Sequence, residues 1–194
     1  LNKQMDRTEV IGIEVKQYGG EGFKALTSRT VGRTSETIRR RNERGSPWDE
    51  ERFFGRIISD GGDDDESTAR SLLDWSRKRG LRILWGRGRL FGSFYAIADF
   101  DGIAHHLFSV WTDSHVEIQF AILRTRPRFQ SEESRLNLLN LINEMNSVQI
   151  SPEGIEGYPK IQFAELKSEQ ELDKFFEAMI WAHAQIAGES NLSS

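Results

Sequence analysis

Glu14 and Lys16 set a carboxylate and an amine two positions apart inside Glu9–Tyr18, a stretch rich in β-branched and apolar residues. Such a stretch reads as a buried strand. Side chains alternate along a strand, so Ile11, Ile13 and Val15 share one face, and Glu14 and Lys16 share the other beside Gly12. Burying an acid and an amine without partners is costly. A hard divalent cation with a phosphate satisfies both: the carboxylate binds the metal, and the ammonium neutralises charge on a scissile phosphate or on the attacking water. Such a pair would be the half-motif of a metal-dependent nuclease. A plainer use of the same pair is mutual charge pairing on a solvated strand face.

Positioning such a site needs elements behind and beside the strand. Gly19 to Gly22 reads as a turn. Phe23, Leu26, Thr30, Val31, Thr34 and Ile38 then recur at helical spacing, predicting a helix over 23–41. Between Gly22 and Gly45 lie seven basic residues (Lys24, Arg29, Arg33, Arg39, Arg40, Arg41, Arg44) and two acidic ones (Glu36, Glu43), a local charge of +5. Arg29, Arg33 and Arg40 lie on one face of that helix. They suit a phosphate backbone, or a solvated face in which Glu36 and Arg40 pair four residues apart.

The chain of 194 residues has a net charge of −4 and no cysteine. No global basic field draws it to nucleic acid, so any such surface is local. The lack of cysteine excludes disulfides and cysteine-ligated zinc and fits a reducing, cytoplasmic setting. The first residues have no apolar core of a signal peptide, and no run approaches the ~20 apolar residues of a membrane span. The chain begins with Leu1 rather than Met and reads as part of something longer.

After a linker at 41–45, Ser46 and Pro47 read as the cap and first position of a helix. This helix carries Phe53, Phe54, Ile57 and Ile58 and stops at Gly61 and Gly62. The acidic run from Asp63 to Glu66 complements the start of a following helix with Leu72, Leu73 and Trp75, and it lacks calcium-loop spacing. Arg77 to Arg79 occupy the last turn before Gly80. The period then changes to two. Strands are expected at Leu81–Trp85, Tyr95–Phe100, Ile103–Trp111 and His115–Arg124, with a glycine-rich turn from Gly86 and a hairpin turn at Asp101 and Gly102. A helix follows Ser131, a short strand Lys160–Phe163, and Ser168 with Glu171 opens the last helix as a capping box. The tail at 189–194 is expected to fray.

Arg124, Arg126 and Arg128 stand at alternate positions, so an extended backbone would point them one way. With Arg87, Arg89, Trp85, Phe91 and Phe94 they would form a basic surface with interleaved aromatics, suited to single strands or distorted duplex. The other use is a sheet edge protected by charge and Pro127. The histidines do not assemble: His105 and His106 point to opposite faces, and His183 sits on the apolar face of the last helix.

The run from Ile13 to Tyr18, followed by Gly22 to Thr34, resembles the second half of a PD-(D/E)xK nuclease core. Trp48 to Glu51, Trp85–Gly86, Val116 to Phe120 and the final helix resemble the C-terminal part of bacterial proteins with a restriction-endonuclease-like N-terminal domain. The resemblance covers nearly the whole chain. It implies that Glu14 ligates Mg²⁺ or Mn²⁺, that Lys16 is the catalytic lysine with Gln17 its neighbour, and that the next helix lines a DNA groove. Two departures stand out. The family's metal-binding Asp lies on an upstream strand, whereas only a few residues precede this one and Asp6 is too close. Arg33 stands where Gln is expected. The expectation is an α+β chain: residues 1–45 form part of a nuclease core, and residues 46–188 form an antiparallel meander packed with helices. Its function would be that of a metal-dependent DNA endonuclease of restriction or repair type, incomplete and inactive over this length. The alternative is a non-catalytic regulatory module binding nucleic acid or a protein partner through 46–188.

Overall fold

A computed structural model describes the backbone of residues 12–20 and 23–31 and the whole of residues 47–188. The chain is α+β and divides between Ser46 and Pro47 into two units.

The first unit contains strands β1 (Gly12–Gly20) and β2 (Phe23–Val31), paired antiparallel from Gly12 opposite Val31 to Gly20 opposite Phe23. The helix expected from Phe23 to Arg41 is therefore not formed over its first nine residues, which are strand. Thr27, Thr30 and Val31 are β-branched and lose rotamer freedom in a helix. The preceding strand lies two residues away and offers a ladder for their backbone groups. Apolar spacing alone did not separate these outcomes. Residues 32–41, with the rest of that expected helix, lie outside the described residues, as does the 189–194 tail.

The second unit opens with α1 (Glu50–Lys78), whose N-cap is Asp49, its side chain accepting from the Arg52 amide at 2.8 Å. The expected start at Ser46 and Pro47 is displaced because the Trp48 amide is spent on the Gly86 carbonyl, at 2.9 Å. Gly62 interrupts α1 with φ 78° and ψ −170°, so the two helices expected on either side of Gly61 and Gly62 run on through a kink. Strands β3 (Arg82–Trp85), β4 (Ser93–Phe100), β5 (Ile103–Trp111), β6 (His115–Ile118) and β7 (Lys160–Gln162) form a sheet in sequence order, every neighbouring pair antiparallel. Asp101 and Gly102 have positive φ (49° and 73°), as a two-residue hairpin turn requires.

The strand expected from His115 to Arg124 ends at Ile118. Gln119 turns the chain: its amide bonds the Leu107 carbonyl at 3.0 Å and its side chain donates to Ser109 Oγ at 2.9 Å. The short helix α2 (Phe120–Leu123) follows, then α3 (Glu132–Ile142) capped by Ser131, and α4 (Glu169–Ala187) capped by Ser168 and closed by Gly188.

The core joins α1, α4 and one face of the sheet. Phe53 meets Phe94 and Trp85, Phe108 meets Phe175, and Trp75 stacks on Phe176 with centroids 4.8 Å apart. Phe53, Leu72, Phe94, Phe108, Phe120 and Phe175 are fully buried. Burying each large apolar side chain stabilises the fold by about 2 kcal/mol.

Candidate nucleic-acid interface

Three groups of residues carry the sequence-level site, and they meet different fates. Glu14, Lys16 and Gln17 lie on β1, opposite Arg29, Thr27 and Leu26 of β2. Glu14 and Arg29 are thus register partners across the hairpin, a placement that spacing along one strand does not reveal. Arg33 and Arg40 lie outside the described residues. Magnesium and manganese take several oxygen donors. Glu14 supplies one carboxylate position on β1, and among the described residues no group of three or more acidic or histidine side chains is arranged to hold a metal.

The second group, Arg124, Arg126 and Arg128, does not point one way. Arg124 is the helical C-cap of α2 and Pro127–Phe129 forms a 3-10 turn, so the extended backbone at Arg126 is interrupted on both sides and the alternation is broken. Arg124 Nη1 bonds Glu156 Oε2 at 2.7 Å. That hydrogen bond holds the Glu156 carboxyl below its ordinary range. Arg126 is half-buried near His105 and His106. Burial lowers the pKa of both imidazoles, and the positive charge of Arg126 lowers them further. A Cβ added at Gly188 would lie 2.9 Å from Arg128 Nη2, so this guanidinium rests against the left-handed cap of α4. A cation there complements the negative helix end.

Arg135, not singled out from the sequence, organises this region. It is 6% exposed, and its Nη1 donates to the carbonyls of Phe129 and Gln130, each at 2.8 Å, while Nη2 reaches Glu156 at 3.1 Å. The available signal was its position three, four and seven residues before Leu138, Leu139 and Ile142, on the buried stripe of α3.

The third group is the loop Gly86 to Gly92, between β3 and β4. Arg87, Arg89, Leu90 and Phe91 are exposed, Leu90 at 78% and Phe91 at 42%. Phe94 and Trp85, expected beside them on a basic surface, turn to the core: Phe94 is fully buried in it, partly buried Trp85 packs against it, and both rings meet Phe53. Only Phe91 of those three aromatics stays in the loop and outward.

The loop is held at both ends and in the middle. The Gly86 amide bonds Ser93 O at 2.7 Å, and Trp48 Nε1 bonds Gly88 O at 2.8 Å. Gly92 bonds Thr112 twice: its carbonyl accepts from the amide at 3.0 Å, and its amide donates to Oγ1 at 2.9 Å. Two glycines are required by close approach. A Cβ at Gly88 would lie 2.2 Å from Phe91 O, and one at Gly92 would lie 2.5 Å from the Trp48 ring. Arg52 covers another part of that ring, 4.0 Å from its centroid.

Elsewhere the acidic run behaves as a helix surface. Glu66 pairs with Arg70 at 2.7 Å and Asp64 with Lys167 at 3.2 Å. Among the described residues no helix is long and apolar enough to cross a membrane. No family model, curated protein or solved structure matches this chain.

Proposed function

We propose that this chain carries the Glu-x-Lys half of a divalent-metal-dependent DNA endonuclease of restriction or repair type, with residues 47–188 serving recognition of the nucleic acid. The observation carrying the proposal is the placement of Glu14 and Lys16 two positions apart on one paired strand, with Arg29 opposite Glu14. Glu14 would be a ligand of Mg²⁺ or Mn²⁺, and the ion would supply Lewis-acid stabilisation of the phosphate. Lys16 would neutralise charge developing on the scissile phosphate, and Gln17 would adjoin it. Arg29, in register with Glu14, would add a second cation for the phosphate backbone.

The test compares the full-length gene product with its Lys16→Ala form on DNA in the presence of Mg²⁺ or Mn²⁺. Metal-dependent cleavage that falls by about 10²-fold or more in the variant is expected. Equal cleavage by both proteins would sink the catalytic claim.

A non-catalytic binding or regulatory module is the second reading. It is favoured by the position of Arg87 and Arg89 in the second unit, across the Ser46–Pro47 boundary from Glu14 and Lys16. A protein partner for residues 47–188 belongs to this reading too.

A further inference from the structure

We infer that the loop Gly86 to Gly92 is a preformed contact for single-stranded nucleic acid, in which Arg87 and Arg89 hold phosphates and Phe91, flanked by Leu90, stacks on an unpaired base. This deepens the recognition role given above to the second unit, and it stands or falls separately from cleavage.

Four observations converge on the loop. Its charge is purely positive: two arginines and no acid between Gly86 and Gly92. Among the described residues neither arginine has an ion pair, whereas Arg56, Arg70, Arg82, Arg124 and Arg135 each meet a carboxylate. The apolar side chains beside them are turned out, Leu90 at 78% and Phe91 at 42% exposed, while most phenylalanines of the second unit are buried. Finally, the backbone is ordered by hydrogen bonds to Trp48, Ser93 and Thr112. Ordering an exposed loop before binding removes part of the entropic cost of association.

The chemistry selects the partner. Two exposed guanidiniums without a carboxylate partner among the described residues call for anions spaced along a chain, which a phosphate backbone provides. An exposed ring among them calls for a flat apolar face, and every unpaired base has one. A duplex hides its base faces in the stack, so a ring on a basic loop favours a single strand.

The test measures fluorescence anisotropy of a labelled mixed-sequence single-stranded oligonucleotide against the full-length protein, over a range of salt concentrations. The wild type is expected to bind in a salt-dependent way and more tightly than to the blunt duplex of the same sequence. Arg87→Ala with Arg89→Ala is expected to weaken binding and to lower the magnitude of the salt slope by about 1.4, two phosphate contacts' worth on a single strand. Phe91→Ala is expected to weaken binding roughly ten-fold while leaving the salt slope in place. Arg56→Ala with Arg70→Ala, removing two carboxylate-paired arginines of α1, serves as the charge-matched control and is expected to keep wild-type affinity. Circular dichroism confirms that each variant is folded. No binding, equal binding to duplex and single strand, or affinity indifferent to Arg87, Arg89 and Phe91 would overturn the inference and leave the loop as a protein-contact surface. Loss of cleavage in Lys16→Ala with unchanged anisotropy separates the two proposals. So does an absence of cleavage in the wild type with loop-dependent binding intact.

Discussion

Arg124–Arg128 and Arg87–Arg89 look alike as strings, with guanidiniums at alternate positions near aromatics and a turn former, yet the fold uses them in opposite ways. The first segment is engaged by the protein's own groups: exposed Arg124 pairs with Glu156, half-buried Arg126 sits by two histidines and exposed Arg128 lies against the end of α4. The second is held away from every described carboxylate. An arginine's charge therefore says little about its task until the neighbouring carbonyls and carboxylates are placed. An inward guanidinium acts as a multi-pronged hydrogen-bond donor that ties loops together. An outward one keeps its charge available to a ligand.

The largest expected effect tests what holds the outward loop. Trp48→Ala removes a nearly buried ring from between the loop and α1 and is expected to cost about 3 kcal/mol in urea unfolding. Trp48→Phe, which keeps most of the ring but not the bond to Gly88, is expected to cost only about 1 kcal/mol. Equal losses in the two variants would show that the hydrogen bond, not the ring, secures the loop.

Next is Arg135, the buried arginine that ties down the end of the Arg124–Arg128 segment. Arg135→Met keeps much of the side-chain volume but strands the carbonyls of Phe129 and Gln130, and a loss of about 2 kcal/mol is expected. The same measurement on Arg87→Ala with Arg89→Ala should stay within about 0.5 kcal/mol of wild type. A comparable loss in both would abolish the distinction between inward and outward arginines.

Acidification should reveal the Arg124–Arg128 segment as well. His105 and His106 have folded pKa values below the ordinary 6.5, first through burial and then through Arg126. The unfolded chain therefore binds protons first as pH falls. The stability this represents is present above pH 6.5 and is lost as pH drops through that value toward the lowered folded ones. The unfolding midpoint is expected to fall between about pH 7.5 and 5.5, and a His105→Gln, His106→Gln double variant is expected to flatten the fall. Arg126→Met should raise the His106 pKa in an NMR titration; an unchanged value would remove Arg126 from the account.

The smallest effect belongs to Arg124→Ala. Its pair with Glu156 is exposed on both sides, with side-chain exposures of 49% and 53%, and such pairs are screened by water and salt. No resolvable change in the unfolding midpoint is expected, in contrast to Arg135→Met, which loses a partner in the same carboxylate.

Much of the fold was legible from local patterns. Ile103–Trp111 was readable to the residue, because a run rich in β-branched and aromatic residues lies between two turns that contain positive-φ residues. The helices after Ser131 and Ser168 announce themselves through caps that act within three residues. Illegible parts were those in which a distant group captured the local one. Gln119 ended β6 by reaching back to Ser109 and Leu107, and Trp48 delayed α1 by bonding Gly86. Thr27 to Val31 became strand where β1 offered them a ladder.

The candidate site follows the same division. Glu14, Lys16 and their alternation on a strand are properties of a short run of residues, since strand geometry alone puts every second side chain on one face. That Arg29 lies opposite Glu14, that Phe94 is buried while Phe91 is exposed, and that Arg135 rather than Arg124 ties the basic segment down depend on which segments pair. Burial and hydrogen-bond saturation are set by groups tens of residues away. Residue type supplies a charge or a ring, and three-dimensional contact assigns it to the protein or leaves it for a ligand.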